Sequence, residues 1–324
     1  MKKIAVMTTG GDAPGMNAAI RAAVRTAVKN GMEVVGVEEG FKGLVRGIFR
    51  PMDSKSVSNI INKGGTILKT LRCPEFKLES VRKKAYANIM EHGVEGIVVI
   101  GGDGSKMGAW TITKELKVPT FFIPASIDND VYGTDLTIGF DTAVNVALEA
   151  IDKIRDTASS HERIFIVEIM GREHGFLSLE VGLTGGAEVI LLPEFKKDHS
   201  VKEICGYLKE GINKGKTSSI IVMAEGAGSA ADLAKKMKKF ISMEIRYSVL
   251  GYIQRGGNPT AESRRLGLLY GYEAAAALKK MKPGESKMAG LKENRLVIHN
   301  TKSVINKERK IDSKLYKINK IFSH

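Results

Sequence analysis

The amino-acid sequence predicts an α/β protein in which mainly parallel sheets are covered by helices. Short apolar runs alternate with longer amphipathic stretches along most of the chain, which is the pattern of a parallel sheet between helices. Glycine-rich segments follow two of the apolar runs, at Gly10 and at Gly101, and precede helical segments. At 324 residues the chain is long enough for two domains of ordinary size.

The individual elements follow from hydrophobic periodicity and from flanking glycine and proline residues. Predicted strands are 3–7, 33–37, 96–100, 120–123, 164–169, 189–192 and 219–224. Predicted helices are 17–29, 83–91, 143–156, 201–213 and 261–280. The pattern breaks near 139–142 and near 251–258, so we expect one domain of residues 1–140 plus about 254–304 and another of 141–253 plus about 305–324.

The composition is that of a soluble globular protein, with 43% hydrophobic and 27% charged residues. No apolar run approaches the roughly 20 residues that span a bilayer, so we predict no membrane partner. The basic and apolar start is interrupted at Gly10 too soon for a signal peptide. Two cysteines, Cys73 and Cys205, offer at most one bridge, and we place the protein in a reducing cytoplasm.

The net charge of +14 is concentrated near the C-terminal end of the sequence. Residues 279–320 hold 13 Lys or Arg and four acidic residues, so they contribute +9. Such a stretch is typical of a solvated helix face or a frayed tail. Aromatic residues are not interleaved with these basic ones as a stacking platform would need, so no nucleic-acid partner is predicted.

A hydroxyl and two carboxylates lie close together after the apolar run 118–123. If this segment is extended, Ser126, Asp128 and Asp130 project to one side. Clustered carboxylates are unfavourable unless a metal, a basic residue or a substrate proton compensates them, which favours a functional site. A plain turn remains the alternative, since Asp and Asn favour turns.

Two glycine-rich loops have the form of phosphate-binding loops. The segments 9–17 and 101–105 each join a predicted strand to a helix, where backbone amides and the helix N-terminus favour a phosphate. Asp103 lies between glycines and is a candidate ligand for Mg²⁺. A plain tight turn is the alternative at the first of these loops. Arg21 and Arg25 share a face of the following helix, as a solvated face or a phosphate clamp.

Other phosphate and metal motifs do not fit. Lys216-Thr217 ends like a P-loop, but Glu210 stands where that motif needs Gly, and Met107 stands at the last glycine of a dinucleotide fingerprint. Histidines and cysteines show no zinc spacing. Arginines recur at 72, 163, 172, 246 and 255, and each alone is typical of a surface ion pair. Together with the loops and carboxylates they indicate a site for two phosphorylated ligands.

Taken in chain order, these segments resemble the bacterial ATP-dependent 6-phosphofructokinase family (phosphofructokinase A) over about residues 2–268. The motifs are TTGGDAPGMNAAIR, GGTILKTLRCPEF, IGGDGS, IDND with GTDLTIGFDTA, KIRDTASSHER, MGRE, GGAE, AEG and IQRGG. The resemblance implies two Rossmann-like three-layer domains of the phosphofructokinase fold, the first binding ATP and the second the sugar phosphate. It also implies a homotetramer with active sites at subunit interfaces.

The implied reaction transfers the γ-phosphoryl group of ATP to the 1-hydroxyl of fructose 6-phosphate. Asp128 would be the base, with Ser126, Asp130, Arg172 and Gly11 as further catalytic residues. ATP and Mg²⁺ would contact Gly11, Arg72, Cys73, Gly102, Asp103, Gly104 and Ser105, with Asp103 as the metal ligand. The sugar phosphate would contact Ser126, Asp128, Arg163, Met170, Gly171, Arg172, Glu225, Arg246, Tyr252 and Arg255, with Arg163 and Arg246 coming from a neighbouring subunit.

The resemblance further implies an effector site for ADP and phosphoenolpyruvate. Its positions would be Arg21, Arg25, Arg155, Gly186, Glu188, Lys214 and Lys216, with Glu188 holding an effector Mg²⁺. The sequence departs from the family there, with Ser54 for an arginine and Ser218 for a histidine. In the active site, Tyr252 replaces a histidine, and Ala125-Ser126 replaces Gly-Thr.

Two alternatives remain at this point. Pyrophosphate-dependent members of the family carry Asp at the position of Gly104 and Lys at that of Ala125, so the residues here favour ATP. A catalytically weak regulatory paralogue would keep the fold without the activity. The presence of Asp103, Asp128, Asp130 and Arg172 argues against it.

Overall fold

Among the residues that the structure describes, 1–196 and 200–322, the strands pair into one sheet of seven and one of four. The structure is a computed structural model, and it divides the chain into two units. Unit 1 is Met1–Thr142 with Arg255–Arg309, and unit 2 is Ala143–Gln254 with Lys310–His324. Residues 323 and 324 of the predicted second domain lie outside the described residues.

The chain first builds most of unit 1. The elements are β1 (Lys3–Thr9), α1 (Met16–Lys29), β2 (Glu33–Val37), α2 (Phe41–Arg46), β3 (Phe49–Met52), α3 (Glu79–Glu91), β4 (Gly96–Gly101), α4 (Asp103–Leu116) and β5 (Thr120–Pro124).

The helix α5 (Phe140–Ser160) carries the chain into unit 2. There follow β6 (Ile164–Ile169), α6 (Phe176–Thr184), β7 (Val189–Leu191), α7 (Val201–Asn213), β8 (Ser219–Ala224), α8 (Ala230–Met237) and β9 (Ile245–Val249). The return to unit 1 gives α9 (Ala261–Leu278), β10 (Ser286–Lys292), β11 (Arg295–Asn300) and α10 (Thr301–Val304), before α11 (Ser313–Phe322) in unit 2.

The sheet of unit 1 has the strand order β11-β10-β5-β4-β1-β2-β3. Its five inner strands run parallel, and β3 and β11 pair antiparallel at the two edges. Every residue of β4 is buried, which is why its sequence Gly-Ile-Val-Val-Ile-Gly is apolar without alternation. β4 pairs with β1 on one side and β5 on the other, so the ends of these strands lie side by side.

The sheet of unit 2 is wholly parallel in the order β7-β8-β6-β9. One core cluster packs between it and its helices, formed by residues such as Ile164, Ile221, Leu208 and Leu233. α7 begins with a capping box in which Ser200 and Glu203 satisfy each other's backbone amides. No described helix is both long and apolar enough to cross a lipid bilayer.

The predicted fold class is confirmed, and most predicted elements form with shifts of a few residues at their ends. The expectation for residues 279–320 as a solvated face or frayed tail is wrong over its middle part. Strand β10 lies inside the sheet of unit 1, and most of its residues are buried. Its lysines stand near its ends and its apolar residues between them, so the high charge of the segment concealed a strand.

Two glycines let α1 and α9 pack closely in unit 1. A Cβ added at Gly271 would lie 2.4 Å from the carbonyl oxygen of Ala19, and one at Gly267 would lie 2.9 Å from that of Gly15. Backbone atoms cannot move aside as a side chain can, so only glycine fits here.

We predict that Gly271→Ala lowers the free energy of unfolding by about 1–3 kcal/mol through overpacking. Gly206→Ala on α7 is the matched control, because a Cβ there meets nothing within 4 Å. We expect it to raise stability by about 0.5–1 kcal/mol through helix propensity. Urea unfolding of both variants tests this, and equal effects of the two changes would contradict the close approach of α1 and α9.

Candidate active site and effector cleft

Three loops meet at the carboxyl edge of the sheet in unit 1. They follow β1, β4 and β5, which are adjacent and parallel. The N–H of Ala125 donates to the carbonyl oxygen of Gly101 at 2.8 Å, and the Ser105 hydroxyl donates to that of Thr9 at 3.1 Å. The edge of a parallel sheet where such loops converge is where open α/β folds bind ligands.

The glycines of these loops are required by close backbone approach. A Cβ at Gly101 would lie 2.3 Å from the Thr9 carbonyl oxygen, and Gly10 adopts a left-handed φ of 89°. Gly104, in contrast, has open space where a Cβ would be, with nothing within 4 Å. The first turn of α4 is therefore accessible to a phosphate at its N-terminus.

The segment that carries Ser126, Asp128 and Asp130 contains a turn, so the turn forms and not the extended conformation, the two that the sequence left open. Asn129 has a left-handed φ of 52°, which turns the chain between the two aspartates. The Ser126 hydroxyl donates to Asp130 Oδ1 at 3.1 Å and accepts from the Asp128 N–H at 3.2 Å. The three residues are still brought together, by hydrogen bonds of the turn instead of strand alternation.

The side chains of this turn differ in exposure. Asp128 is only 4% exposed, whereas Ser126 and Asp130 are partly exposed. Asn129 is buried, and its Oδ1 accepts from the N–H of Thr137 at 2.9 Å. Since a buried amide with several hydrogen bonds has little freedom, Asn129 fixes the direction of both neighbouring aspartates.

A buried lysine contacts the proposed metal carboxylate, and sequence reasoning missed it. Lys106 is 0% exposed, and its Nζ lies 2.7 Å from Asp103 Oδ1 and donates to the Val304 carbonyl oxygen at 3.2 Å. The Asp103 side chain is 54% exposed. Lysines on helices are usually exposed to solvent, so the sequence gives no sign that Lys106 is buried. Only the tertiary structure shows it.

Other predicted ATP-site residues lie on a loop beside Gly10. Thr70 donates through its hydroxyl to the Gly10 carbonyl oxygen at 2.7 Å, which holds the loop bearing exposed Arg72 and partly buried Cys73. Burial raises the pKa of the Cys73 thiol, and a hydrogen bond with Glu75 raises it further, so it remains a neutral thiol. Arg255 also belongs to unit 1, with Nη1 3.9 Å from Asp12 Oδ1.

The predicted sugar-phosphate residues of unit 2 form a local group around Glu225. Its Oε1 accepts from the N–H of Gly171 at 3.0 Å and of Arg172 at 2.6 Å. Arg172 has a left-handed φ of 54° and an exposed side chain. Buried Gln254 was not predicted, although its Oε1 accepts from the Met170 N–H at 2.9 Å. The glutamine is part of the IQRGG motif, which was the signal that could have found it.

Arg163 and Arg246 converge on one carboxylate. Arg163 Nε lies 2.5 Å from Glu244 Oε2, and Arg246 pairs with Oε1. The two arginines, Arg163 above all, lower the pKa of Glu244. Arg246 lies on β9, at the edge of its sheet, and Tyr252 is 80% exposed after it.

Five of the seven predicted effector residues belong to unit 2, and three of these line a cleft of about 360 Å³. Glu188, Lys214 and Lys216 line it. Glu188 Oε1 lies 2.9 Å from Lys216 Nζ, and its Oε2 accepts from the Ile220 N–H at 2.5 Å. Beside Gly186, Arg155 Nη2 donates to the carbonyl oxygens of Gly185 and Gly186 at 2.6 and 3.0 Å.

Arg21 and Arg25 belong to unit 1, on α1. Arg25 Nη2 donates to the carbonyl oxygen of Ser54 at 3.4 Å. Ser54, which departs from the family pattern, thus contacts Arg25 through its backbone carbonyl.

The residues at Asp103 suit a magnesium ion held together with nucleotide phosphates. No group of three or more His, Cys, Asp or Glu side chains is arranged as a metal site within the part of the chain that the structure describes. Mg²⁺ needs no such cage, since it commonly takes one or two carboxylates and completes its shell with phosphates and water. Asp103 offers one half-exposed carboxylate at the open N-terminus of α4.

Comparison with known proteins gives consistent matches along the chain. The phosphofructokinase family model matches residues 3–278. The chain is 52% identical over 320 residues to "ATP-dependent 6-phosphofructokinase 1" of Clostridium perfringens, covering 98% of each chain. It is 48% identical over 323 residues to "ATP-dependent 6-phosphofructokinase" of Bacillus licheniformis, covering 100% of each.

Among solved structures, phosphofructokinase from Saccharomyces cerevisiae is similar, with a TM-score of 0.86 and 34% identity. The match covers 94% of this chain and 45% of the yeast chain. The fold that the resemblance implied is therefore confirmed.

We predict that Asp103→Ala lowers the free energy of unfolding by about 1–3 kcal/mol, because Lys106 loses its carboxylate partner while it stays buried. Adding Lys106→Met should restore most of that loss, since it replaces the buried charge with an apolar side chain of similar size. Urea unfolding of the single and double variants measures both effects.

The control is Glu79→Ala, which removes an exposed pair with Lys83 on α3. That change should cost less than about 0.5 kcal/mol. A double variant as unstable as Asp103→Ala would show that the burial of Lys106 does not explain the loss.

Proposed function

The chain belongs to the phosphofructokinase family, and we propose that it is an ATP-dependent 6-phosphofructokinase. It transfers the γ-phosphoryl group of ATP to the 1-hydroxyl of fructose 6-phosphate and releases fructose 1,6-bisphosphate and ADP. The observation that carries this proposal is the meeting of two glycine-rich loops and the turn of Asp128 at one sheet edge. Sequence identities of 52% and 48% over nearly the full length, to relatives named for this activity, support the proposal.

In unit 1, the loops after β1 and β4 bind the nucleotide. Gly11, Gly102 and Gly104 present backbone amides to the phosphates, and Ser105 contacts them from the first turn of α4. Arg72 and Cys73 contact the nucleotide from their loop. The open space at Gly104 leaves room for an inner phosphate. Asp103 would hold Mg²⁺ together with the phosphates, and the ion would supply positive charge beside the transferring group.

Asp128 is the base of the reaction. It takes the proton of the sugar's 1-hydroxyl as the oxygen bonds to the γ-phosphorus, and the bond from that phosphorus to the bridging oxygen breaks, which leaves ADP. The near-complete burial of Asp128 lets it act with little screening by water. Ser126 and Asp130 hold the turn through their mutual hydrogen bond.

Arginines and a glutamate bind the sugar phosphate. Arg172 contacts the transferring phosphoryl group and Arg255 the 6-phosphate. Glu225 fixes the backbone of Gly171 and Arg172 and contacts the sugar, with Met170 and Tyr252 beside it. Arg163 and Arg246 serve the site of a neighbouring subunit in a cytoplasmic homotetramer. Arg246 is exposed on the edge strand β9, and Arg163, which is partly exposed, pairs with the same carboxylate, which suits that role.

The cleft at Glu188 is proposed as part of an effector site for ADP and phosphoenolpyruvate. Lys214 and Lys216 supply cations for a diphosphate in the cleft. The site is proposed to lie between subunits, where Arg155, Arg21 and Arg25 supply further cations. Glu188 is proposed as a ligand of the effector's Mg²⁺, which requires that the ion shares the carboxylate with Lys216.

A coupled assay for fructose 1,6-bisphosphate tests the activity, with ATP and separately with pyrophosphate as donor. We expect turnover with ATP and Mg²⁺ and at least about 100-fold less with pyrophosphate, because pyrophosphate lacks the nucleoside and the binding energy of its contacts. Turnover with pyrophosphate alone would identify the alternative donor, and turnover with neither would identify a catalytically weak paralogue.

We predict that Asp128→Ser lowers kcat by about 10²–10⁴-fold, because the 1-hydroxyl loses its proton acceptor. ATP binding should stay within about threefold, since the residue does not contact the nucleotide. Steady-state kinetics and a fluorescent ATP analogue measure the two quantities. Asp152→Ser, at an exposed position of α5, is the control and should leave both unchanged. Parallel losses of turnover and ATP binding would contradict the assignment.

We predict that ADP or phosphoenolpyruvate shifts the fructose 6-phosphate saturation curve and that Lys216→Met reduces this shift at least about fivefold, because a charge-assisted contact to phosphate is lost. Lys202→Met is the control, an exposed lysine of the same unit that does not line the cleft. No response to either effector in the unmodified protein would refute the effector site.

A further inference from the structure

Arg309 reaches the turn that carries the proposed base. It is the last residue of unit 1, and its side chain is partly buried. Its Nη1 donates to the carbonyl oxygen of Asn129 at 2.8 Å. That carbonyl belongs to the peptide that joins Asn129 to Asp130, directly after Asp128 in the chain.

The contacted residue is the one that gives the turn its shape. Asn129 has a left-handed backbone, which costs about 1 kcal/mol or more for a residue other than glycine. Its side chain is fixed by Thr137 and by donation to the Asp135 carbonyl oxygen at 3.2 Å. Arg309 adds a charged donor to the carbonyl oxygen of the peptide between Asn129 and Asp130.

The charges around Arg309 favour this position. Burial lowers the pKa of the guanidinium, and Asp135 and Asp130 act in the opposite direction. An arginine remains charged at any physiological pH, so it is a permanent cation beside the turn. A neutral residue there would leave Asp130 without this compensation.

Neighbouring residues of the same segment contact the loop that follows the turn. His299 Nε2 lies 2.8 Å from the Gly133 carbonyl oxygen, and Lys307 lies 5.5 Å above the ring centre of Tyr132. The chain from β11 to Arg309 therefore supports residues 129–133 at several points, and Arg309 is the contact nearest to the proposed base.

We propose that Arg309 is a positioning residue for proton transfer, which fixes the turn Ser126–Asp130 so that Asp128 faces the acceptor hydroxyl. The inference rests on the proposed phosphofructokinase activity. Arg309 acts through the peptide of Asn129 and touches no reacting atom.

The test compares Arg309→Met and Arg309→Lys with the unmodified protein. Because a small displacement of a catalytic group costs up to about 100-fold in rate, we expect kcat of Arg309→Met to fall about 10–100-fold. The KM for ATP should change less than about threefold, since the glycine loops are untouched. Arg309→Lys keeps the cation and should recover about half of the lost activation free energy.

A second measurement does not depend on activity. Hydrogen exchange at the peptide containing residues 126–130 should become at least about tenfold faster in Arg309→Met, because the turn loses a bond that holds it. Arg295→Met is the control, since it removes an exposed arginine from β11 without touching the turn, and it should change neither kcat nor exchange.

The outcomes separate the two proposals. If the unmodified protein and Arg295→Met make no fructose 1,6-bisphosphate, the proposed activity fails, and the exchange data alone judge the effect of Arg309 on the turn. If both are active and Arg309→Met keeps the full kcat and the same exchange, the positioning role is refuted. Equal changes of kcat, ATP KM and overall exchange in both Arg309 variants would show a general role in folding and also refute it.

Discussion

The hydrogen bond from the Ala125 N–H to the Gly101 carbonyl oxygen is the contact on which the proposed active site of unit 1 depends. It joins the end of β5 to the end of β4, and thus the turn of the base to the loop that would bind phosphate. Phosphoryl transfer depends mainly on alignment and charge neutralisation. A rigid sheet edge provides alignment because neither loop moves without breaking the ladder.

Carboxylates concentrated at one sheet edge need cations to compensate their charge. Two such cations, Lys106 and Arg309, depend on the C-terminal part of unit 1. Lys106 lies between Asp103 and the carbonyl oxygen of Val304. Arg309 lies near Asp130 and bonds Asn129. Each cation is buried to some degree and so keeps its carboxylate partner oriented in a setting of low dielectric. The segment after β11 therefore contacts the proposed site, although it carries none of the glycine-loop or IDND motifs.

The sequence was sufficient for the parallel strands and for the loops that follow them, because continuous apolar runs are typical of strands buried on both faces and glycines after them are typical of tight turns. After β5 the sequence left an extended segment and a turn as alternatives, and the left-handed backbone of Asn129, which the sequence does not reveal, favours the turn. Sequence reasoning also missed Lys106 and Arg309. The residue type alone does not tell whether a lysine or arginine is buried or solvated, because that depends on long-range packing.

The two units are proposed to bind phosphate by different means. Unit 1 would offer mainly backbone amides, which need no partner charge, whereas Arg163 and Arg246 of unit 2 are already paired with Glu244. These arginines hold the pKa of Glu244 low, so the carboxylate stays ionised and an incoming phosphate must displace it. A dianion competes for two guanidinium groups better than a monoanion does, because the attraction scales with charge. The paired state thus keeps both side chains close together, and in the proposed site it would favour a doubly charged sugar phosphate over other anions.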